Sequence, residues 1–187
     1  FYNHNVYVYK GSNVVIKNNA ITRGSFYGIK MNSGGVVKGN FFARNAESVY
    51  LENTATIENN VITEAVPMPS QNWGVGINSQ KAPSAIIRGN LITKVLTTDA
   101  AGVAGIQLFN NGTAFSGVVE NNIVYNWRNG ILAATKGNGA GSVVIRNNQL
   151  QMTDSSSAAM SQSSTAAQST FVYSGNVYAS GDNSKAN

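Results

Sequence analysis

The chain has 187 residues, of which only 11% are charged and 19 are glycine, and its formal net charge is +5. This composition argues against a helical protein, and the many Asn, Ser and Thr residues favour short strands joined by tight turns. The absence of Cys excludes disulfides and thiolate metal sites, and no apolar run is long enough to cross a membrane.

The first element is a strand at residues 5–9, where valines alternate with larger or polar residues. A second unit follows at residues 15–21, in which an apolar strand leads into two Asn residues and then into another apolar stretch. A pair made of Asn or Gly and then Asn returns at intervals of 20 to 32 residues, with its second member at Asn19, Asn40, Asn60, Asn90, Asn122, Asn148 and Asn176. A constant repeat unit with variable spacing predicts a solenoid whose coils are joined by loops of different lengths.

Another apolar stretch follows each of the first five Asn pairs. It predicts strands at residues 28–31, 48–51, 76–79, 105–108 and 130–133, and residues 5–8 align with them as the remnant of an earlier coil. Residues 153–169 are rich in Ser, Ala and Gln and fit either a degraded coil or a long loop.

Two or three short strands in each coil resemble the right-handed parallel β-helix of the pectate-lyase-like superfamily, which contains many polysaccharide-active proteins. The resemblance extends from about Val6 to Tyr178. It implies an all-β solenoid of about seven coils, with residues 1–178 as the β-helix and residues 179–187 as a tail or linker. Because a solenoid needs caps on its open strand edges and none precedes Val6, we expect these residues to be part of a longer chain.

The Asn pair has a physical reason. Asn and Gly tolerate positive φ most readily, so the first member of each pair is predicted to turn the chain in the left-handed conformation. Coils stack about 4.8 Å apart, so the second Asn can bond the equivalent amide of the next coil. We therefore predict a structural asparagine ladder without a catalytic role.

The residue before each pair forms a charged row: Lys17, Lys38, Glu58, Arg88, Glu120, Arg146 and Ser174. From Glu58 onward the sign alternates, which predicts salt bridges between coils. In the first two coils Lys17 faces Lys38 and Arg23 faces Arg44, and these like charges are unfavourable unless an anion or an acid from another chain lies between them.

Alternation along the second strand set predicts three outward rows. The first is Tyr7, Lys30, Tyr50, Asn78, Gln107 and Leu132. The second is Tyr9, Asn32, Glu52, Gln80, Phe109 and Ala134, and the third is Asn5, Gly28, Ser48, Gly76, Gly105 and Gly130. Aromatic rings and amides next to a Lys suit a saccharide groove, with Arg23 and Arg44 as further partners for carboxylates and with Trp73, Trp127 and Arg128 as its rim. An ordinary solvated sheet face is the alternative.

β-Elimination or C5 epimerisation of a uronate needs a cation against the carboxylate, a base and an acid. Lys30 or Arg23 is the candidate cation, and Tyr50, Tyr7 or His4 is the candidate acid or base. The chain has neither the Asp-Pro-His motif that the resemblance associates with mannuronan epimerases nor the acidic calcium cluster of pectate lyases. Hydrolysis needs two carboxylates, and only Glu47, Glu52 and Asp99 are near the outward rows, so it is less favoured.

We therefore predict a secreted or cell-surface protein, of bacterial or phage origin, that binds an acidic polysaccharide and modifies it as a lyase or epimerase. A non-catalytic spike, adhesin or carbohydrate-binding shaft is the competing class, and a glycoside hydrolase is a further alternative. We expect no cofactor, no metal, no nucleic-acid partner and no membrane insertion. The expected state is a monomer, or a trimer for a spike.

Overall fold

The computed structural model describes residues 3–66, 74–94, 102–111, 115–136, 141–152, 158–164 and 170–180. They form 21 strands in three parallel sheets of seven strands each, and this part of the chain contains no helix.

The first sheet consists of β1 (His4–Val8), β4 (Tyr27–Met31), β7 (Glu47–Leu51), β10 (Gly74–Ser79), β13 (Gly102–Asn111), β16 (Asn129–Lys136) and β19 (Ala158–Ser164). The second consists of β2 (Val14–Lys17), β5 (Gly35–Lys38), β8 (Ala55–Glu58), β11 (Ser84–Arg88), β14 (Phe115–Glu120), β17 (Gly141–Arg146) and β20 (Thr170–Ser174). The third consists of β3 (Ala20–Thr22), β6 (Phe41–Ala43), β9 (Val61–Thr63), β12 (Leu91–Thr93), β15 (Ile123–Tyr125), β18 (Gln149–Met152) and β21 (Val177–Ser180). Every coil passes through the sheets in this order, so the predicted all-β solenoid of about seven coils is confirmed, and it is consistent with a parallel β-helix.

Three inward-facing columns, one from each sheet, form a continuous core. Their side chains are at most 1% exposed and are Ile29, Val49, Ile77, Ile106 and Ile131 from the first sheet, Val37, Ile57, Ile87, Val119 and Ile145 from the second, and Phe42, Ile62, Ile92, Val124 and Leu150 from the third. Each coil buries these residues against the coils on either side, so stability accumulates along the stack.

The predicted asparagine ladder is confirmed. The first member of every pair has φ between 54° and 63°. Six successive side-chain amides donate from Nδ2 to Oδ1 of the next Asn, over 2.9 to 3.1 Å, from Asn19 to Asn176. Each of these oxygens also accepts the backbone N–H of the preceding Asn.

The charged rows form three ion pairs between coils among the described residues. Arg88 meets Glu58 and Arg146 meets Glu120, both at 2.7 Å, as the alternating row predicts. Arg44 lies 3.0 Å from Glu64, so the coil on its other side supplies an acid. Lys38 is likewise in register with both Lys17 and Glu58. Acids on the other side of Arg44 and Lys38 thus offset part of the repulsion within the like pairs. Exposed ion pairs contribute only about 0–1 kcal/mol each.

The third predicted outward row is wrong, because its glycines face the interior. A Cβ on Gly76 would lie 2.8 Å from Cγ2 of the core residue Ile92, and one on Gly28 would lie 3.2 Å from the ring of Phe42. Strict alternation therefore breaks where these strands begin, and Tyr27 occupies the outward position there. Glycine is needed because the strand approaches the core and the next coil too closely for a side chain.

Candidate functional site

The outer face of the first sheet gathers aromatic and charged side chains at its N-terminal end. Its strands β1, β4 and β7 align Tyr7 with Lys30 and Lys30 with Tyr50, so that the three side chains follow one another across the coils. We call this group the Lys30 cluster, which consists of His4, Tyr7, Tyr27, Lys30, Tyr50 and Glu52.

Lys30 lies at the centre of this cluster. Its Nζ is 5.5 Å from the ring centroids of Tyr7 and Tyr50 and 5.8 Å from that of Tyr27. Glu52 Oε1 is 3.7 Å from the same nitrogen, and the Lys30 side chain is 21% exposed. Cation–π contacts are worth about 0.5–2 kcal/mol each, so the rings hold the ammonium group in place while part of the side chain remains accessible.

Stacked rings continue the cluster across three coils. His4 stacks on Tyr27 with 4.9 Å between ring centroids, and Tyr27 stacks on Tyr50 at 4.5 Å. Tyr7 contacts His4 edge-on at 5.4 Å and lies 6.0 Å from Tyr9. Because Tyr7 and Tyr9 are 48% and 61% exposed, their rings are available to a ligand.

His4 has the properties of a neutral base. Partial burial, and then the charge of Lys30, lower its pKa below the ordinary value of 6.5. The imidazole is therefore unprotonated at neutral pH, beside the exposed ring of Tyr7. Its Nδ1 is buried without a hydrogen-bond partner in the described structure.

Tyr50 belongs to the cluster but is only 5% exposed. Its hydroxyl lies 2.5 Å from Gln80 Oε1 and 3.3 Å from Glu52 Oε1. Burial, followed by the charges of Glu52 and Glu47, raises its pKa above the ordinary value of 10. Tyr50 is thus a poor proton acceptor and serves better to position Glu52.

Glu47 is a feature of this face that the sequence rows did not include. It is completely buried, and Asn78 Nδ2 donates to its Oε2 over 3.0 Å. Burial raises the pKa of Glu47 to about 8, in spite of that hydrogen bond. The carboxyl is therefore mainly protonated at neutral pH. Glu47 and Tyr27 share one column across β7 and β4. The sequence identifies Glu47 only as an acid near the outward rows, and strict alternation through the glycine position does not predict this column.

The most exposed part of the predicted groove lies in the N-terminal coils, at Tyr7 and Tyr9. Asn78 and Gln107 follow Tyr50 in the same row, but they are 0% and 7% exposed, so the row is buried in its middle. Trp127 is packed in the core and does not form a rim, whereas Arg128 is exposed. Trp73 and Asp99 lie outside the described residues.

Arg23 and Arg44 occupy a second column of turns, between the third sheet and the first. Both have left-handed backbones, with φ of 60° and 58°, and Glu64 follows in the same column with 51°. Arg23 N–H bonds the Ala43 carbonyl, which places Arg23 against the turn of Arg44. Both arginines are exposed, and Arg44 is engaged by Glu64.

The described residues contain no group of three or more His, Asp or Glu side chains that could hold a metal ion. In the same residues no helix is long and apolar enough to cross a membrane. Comparison with protein-family models, with curated proteins and with solved structures finds no match to this chain.

Proposed function

We propose that the Lys30 cluster binds an acidic, uronate-containing polysaccharide and modifies it by β-elimination or C5 epimerisation. The observation that carries this proposal is the pairing of a fixed cation with a neutral imidazole against one exposed ring. Lys30 Nζ lies 5.5 Å from the centroid of Tyr7, and His4 lies 5.4 Å from it.

Binding is supported by two tyrosine–lysine pairs at this end of the sheet. Lys10 Nζ lies 5.3 Å from the ring of Tyr9, and Lys30 is placed similarly against Tyr7. An exposed ring stacks on the apolar face of a sugar, and the ammonium group beside it attracts a carboxylate. Two such pairs suit successive units of a polyuronate chain.

The chemistry follows from the same residues. Lys30 neutralises the uronate carboxylate, which acidifies the C5 proton and stabilises the enolate that forms. His4 accepts that proton. In elimination the electron pair then forms the C4–C5 double bond and the C4–O bond breaks, and the leaving oxygen takes the proton that His4 accepted. In epimerisation the Tyr7 hydroxyl is the candidate acid that delivers a proton to the opposite face of C5, and solvent then reprotonates it.

The architecture supports this proposal at the level of fold. Connections between parallel strands are nearly always right-handed, and we propose a right-handed parallel β-helix of the pectate-lyase-like type, in a secreted or cell-surface protein. Because this fold carries both enzymes and binding proteins, the fold alone does not decide between them.

The test is incubation with alginate, pectate and glycosaminoglycans. Ultraviolet absorbance detects the unsaturated product of elimination, and proton NMR detects epimerised units. We expect Lys30→Ala to abolish binding, whereas Lys38→Ala, which removes an exposed cation from the second sheet, retains it. His4→Ala should bind without turnover. The proposal fails if no polyuronate binds, or if both lysine variants lose binding equally.

A non-catalytic carbohydrate-binding shaft is the second candidate. It is favoured by Glu52, which already lies 3.7 Å from Lys30 and competes with a substrate carboxylate. Polyuronate binding without any product would support this candidate. Hydrolysis is disfavoured because Glu47 is completely buried, which leaves Glu52 as the one carboxylate of the described residues that is partly exposed beside Lys30.

A further inference from the structure

The outer face of the second sheet carries a column of β-branched side chains. Its members stand in register from coil to coil, and at least part of each is exposed: Val15, Val36, Thr56, Ile86, Val118, Val144 and Val172. Ile86, in the middle of the column, is 37% exposed. Contiguous exposed apolar surface of this kind marks interaction sites.

A charged column lies beside it on the same face, because residues two apart on a strand point to the same side. From the third coil onward it reads Glu58, Arg88, Glu120 and Arg146. Within the chain, Arg88 pairs with Glu58 and Arg146 with Glu120. In both ion pairs the acid therefore bonds only the arginine of the following coil.

We propose that this face binds a second copy of the chain, with the two solenoids antiparallel across a two-fold axis that runs along the strands. Such an axis places each column against the same column of the second copy and reverses the order of the coils. When the fourth coil faces the fifth, Arg88 meets Glu120 of the second copy and Glu58 meets Arg146. Symmetry repeats both contacts, which gives four pairs of opposite charge.

The charges select this register against its neighbour. A shift by one coil places Arg88 opposite Arg88 and Glu58 opposite Glu120, so that like charges meet, which is destabilising. In the favoured register the apolar column is also matched, since Ile86 faces Val118 and Val36 faces Val172 of the second copy. The same alignment therefore satisfies both columns.

The expected interface is small. Six overlapping coils at about 4.8 Å each and strands of about five residues at 3.3 Å cover roughly 450–500 Å² of each face. The total is close to 1,000 Å², near the lower limit of specific interfaces, so the dimer should depend on protein concentration.

The first experiment is sedimentation velocity of the protein over a range of concentrations. Ile86→Lys should raise the dimer dissociation constant by at least about tenfold, which corresponds to 1.4 kcal/mol. Leu91→Lys is the matched control, because Leu91 lies in the same coil and is 38% exposed, but on the third sheet. A monomer at all concentrations, a trimer, or equal effects of both variants would overturn the proposal.

A charge exchange tests the register even if Ile86→Lys does not fold. Arg88→Glu alone and Glu120→Lys alone each place two like-charge contacts in the proposed dimer, so neither should self-associate. In an equal mixture, the Glu introduced at position 88 of one variant faces the Lys introduced at position 120 of the other, and the unchanged Glu120 faces the unchanged Arg88. The two variants should therefore form a heterodimer, detected by native mass spectrometry. Association of either variant alone, or none in the mixture, would contradict the antiparallel register.

Discussion

Replacement of Glu47 by Gln tests whether burial holds a proton on this carboxyl. The variant keeps the shape of the side chain and an oxygen that accepts from Asn78 Nδ2, and it is neutral at every pH. It therefore resembles the protonated form of Glu47, whose pKa burial raises from 4.5 to about 8. The difference between the two proteins should depend strongly on pH.

The direction of the pH dependence follows from whether the folded or the unfolded chain releases the Glu47 proton first as the pH rises. Below pH 4.5 the carboxyl is protonated in both the folded and the unfolded chain, and Glu47 costs nothing extra. Between pH 4.5 and about 8 the unfolded chain releases the proton and the folded chain retains it, so the wild type loses stability as the pH rises. A tenfold change is about 1.4 kcal/mol, so the loss by pH 8 is of the order of 4–5 kcal/mol.

The assay is thermal or urea unfolding of both proteins at pH 5 and at pH 8. We expect similar stability at pH 5 and a variant that is more stable at pH 8, by roughly 10–20 °C in melting temperature for a chain of this size. Glu64→Gln, at an exposed ion pair, is the control. Comparison at the same pH also cancels the opposite contribution of His4, whose lowered pKa makes the folded state more stable as the pH rises. A difference between wild type and Glu47→Gln that stays constant from pH 5 to pH 8 would refute the reasoning.

Two further substitutions probe the stack by urea unfolding. Asn90→Ala should lower the free energy of unfolding by at least about 3 kcal/mol, because the Asn90 amide bonds three acceptors and accepts two hydrogen bonds inside the ladder. Asn19→Ala, at the exposed end of the ladder, should cost much less. Equal costs would contradict a cooperative ladder. Gly105→Ala should lower the free energy of unfolding by about 1–3 kcal/mol or more, because its Cβ would overlap Val124. Gly34→Ala should change stability little, because its Cβ would meet only a carbonyl oxygen, at 3.3 Å. If Gly105→Ala is as stable as the wild type, the backbone can move to accommodate the Cβ and the close approach is not a constraint.

The ladder could be predicted from the sequence because its requirements are local. Positive φ favours Asn or Gly as the first residue of each pair. Stacking of the coils then determines the hydrogen-bond partner of the second residue. The turn column of Arg23, Arg44 and Glu64 also has positive φ but was not predicted. Charged residues carry no sequence signal for that conformation, since most of them occur in ordinary backbone regions.

The outward rows were predicted in part, because alternation holds only within a regular strand. It identified the row of Tyr7, Lys30 and Tyr50, where the register is regular. It failed at Gly28, where the chain approaches the core and Tyr27 takes the outward position. The burial of Asn78 had no signal in its own sequence neighbourhood, since burial of an outer face depends on distant segments.

The last strand of the first sheet, β19, could not be predicted from amino-acid composition. Residues 153–169 fitted either a degraded coil or a long loop, and β19 lies within them as the seventh strand of that sheet. Its Ser and Gln residues lack the apolar period that identifies a strand. Pairing with β16 supplies the backbone hydrogen bonds instead, so the neighbouring coil rather than the local sequence determines this strand.

The outer face of the first sheet departs from the rules that the rest of the stack follows. Elsewhere in the described residues the core is mainly apolar with laddered Asn, and Lys94 is the one other charged side chain that is buried. On this face Glu47 is buried with a raised pKa, while Lys30 is enclosed by three rings. Burial of an ionisable group costs stability, and such departures concentrate at functional sites. The buried Glu47 and the ring-surrounded Lys30 therefore mark this face as a candidate site, whichever polysaccharide binds.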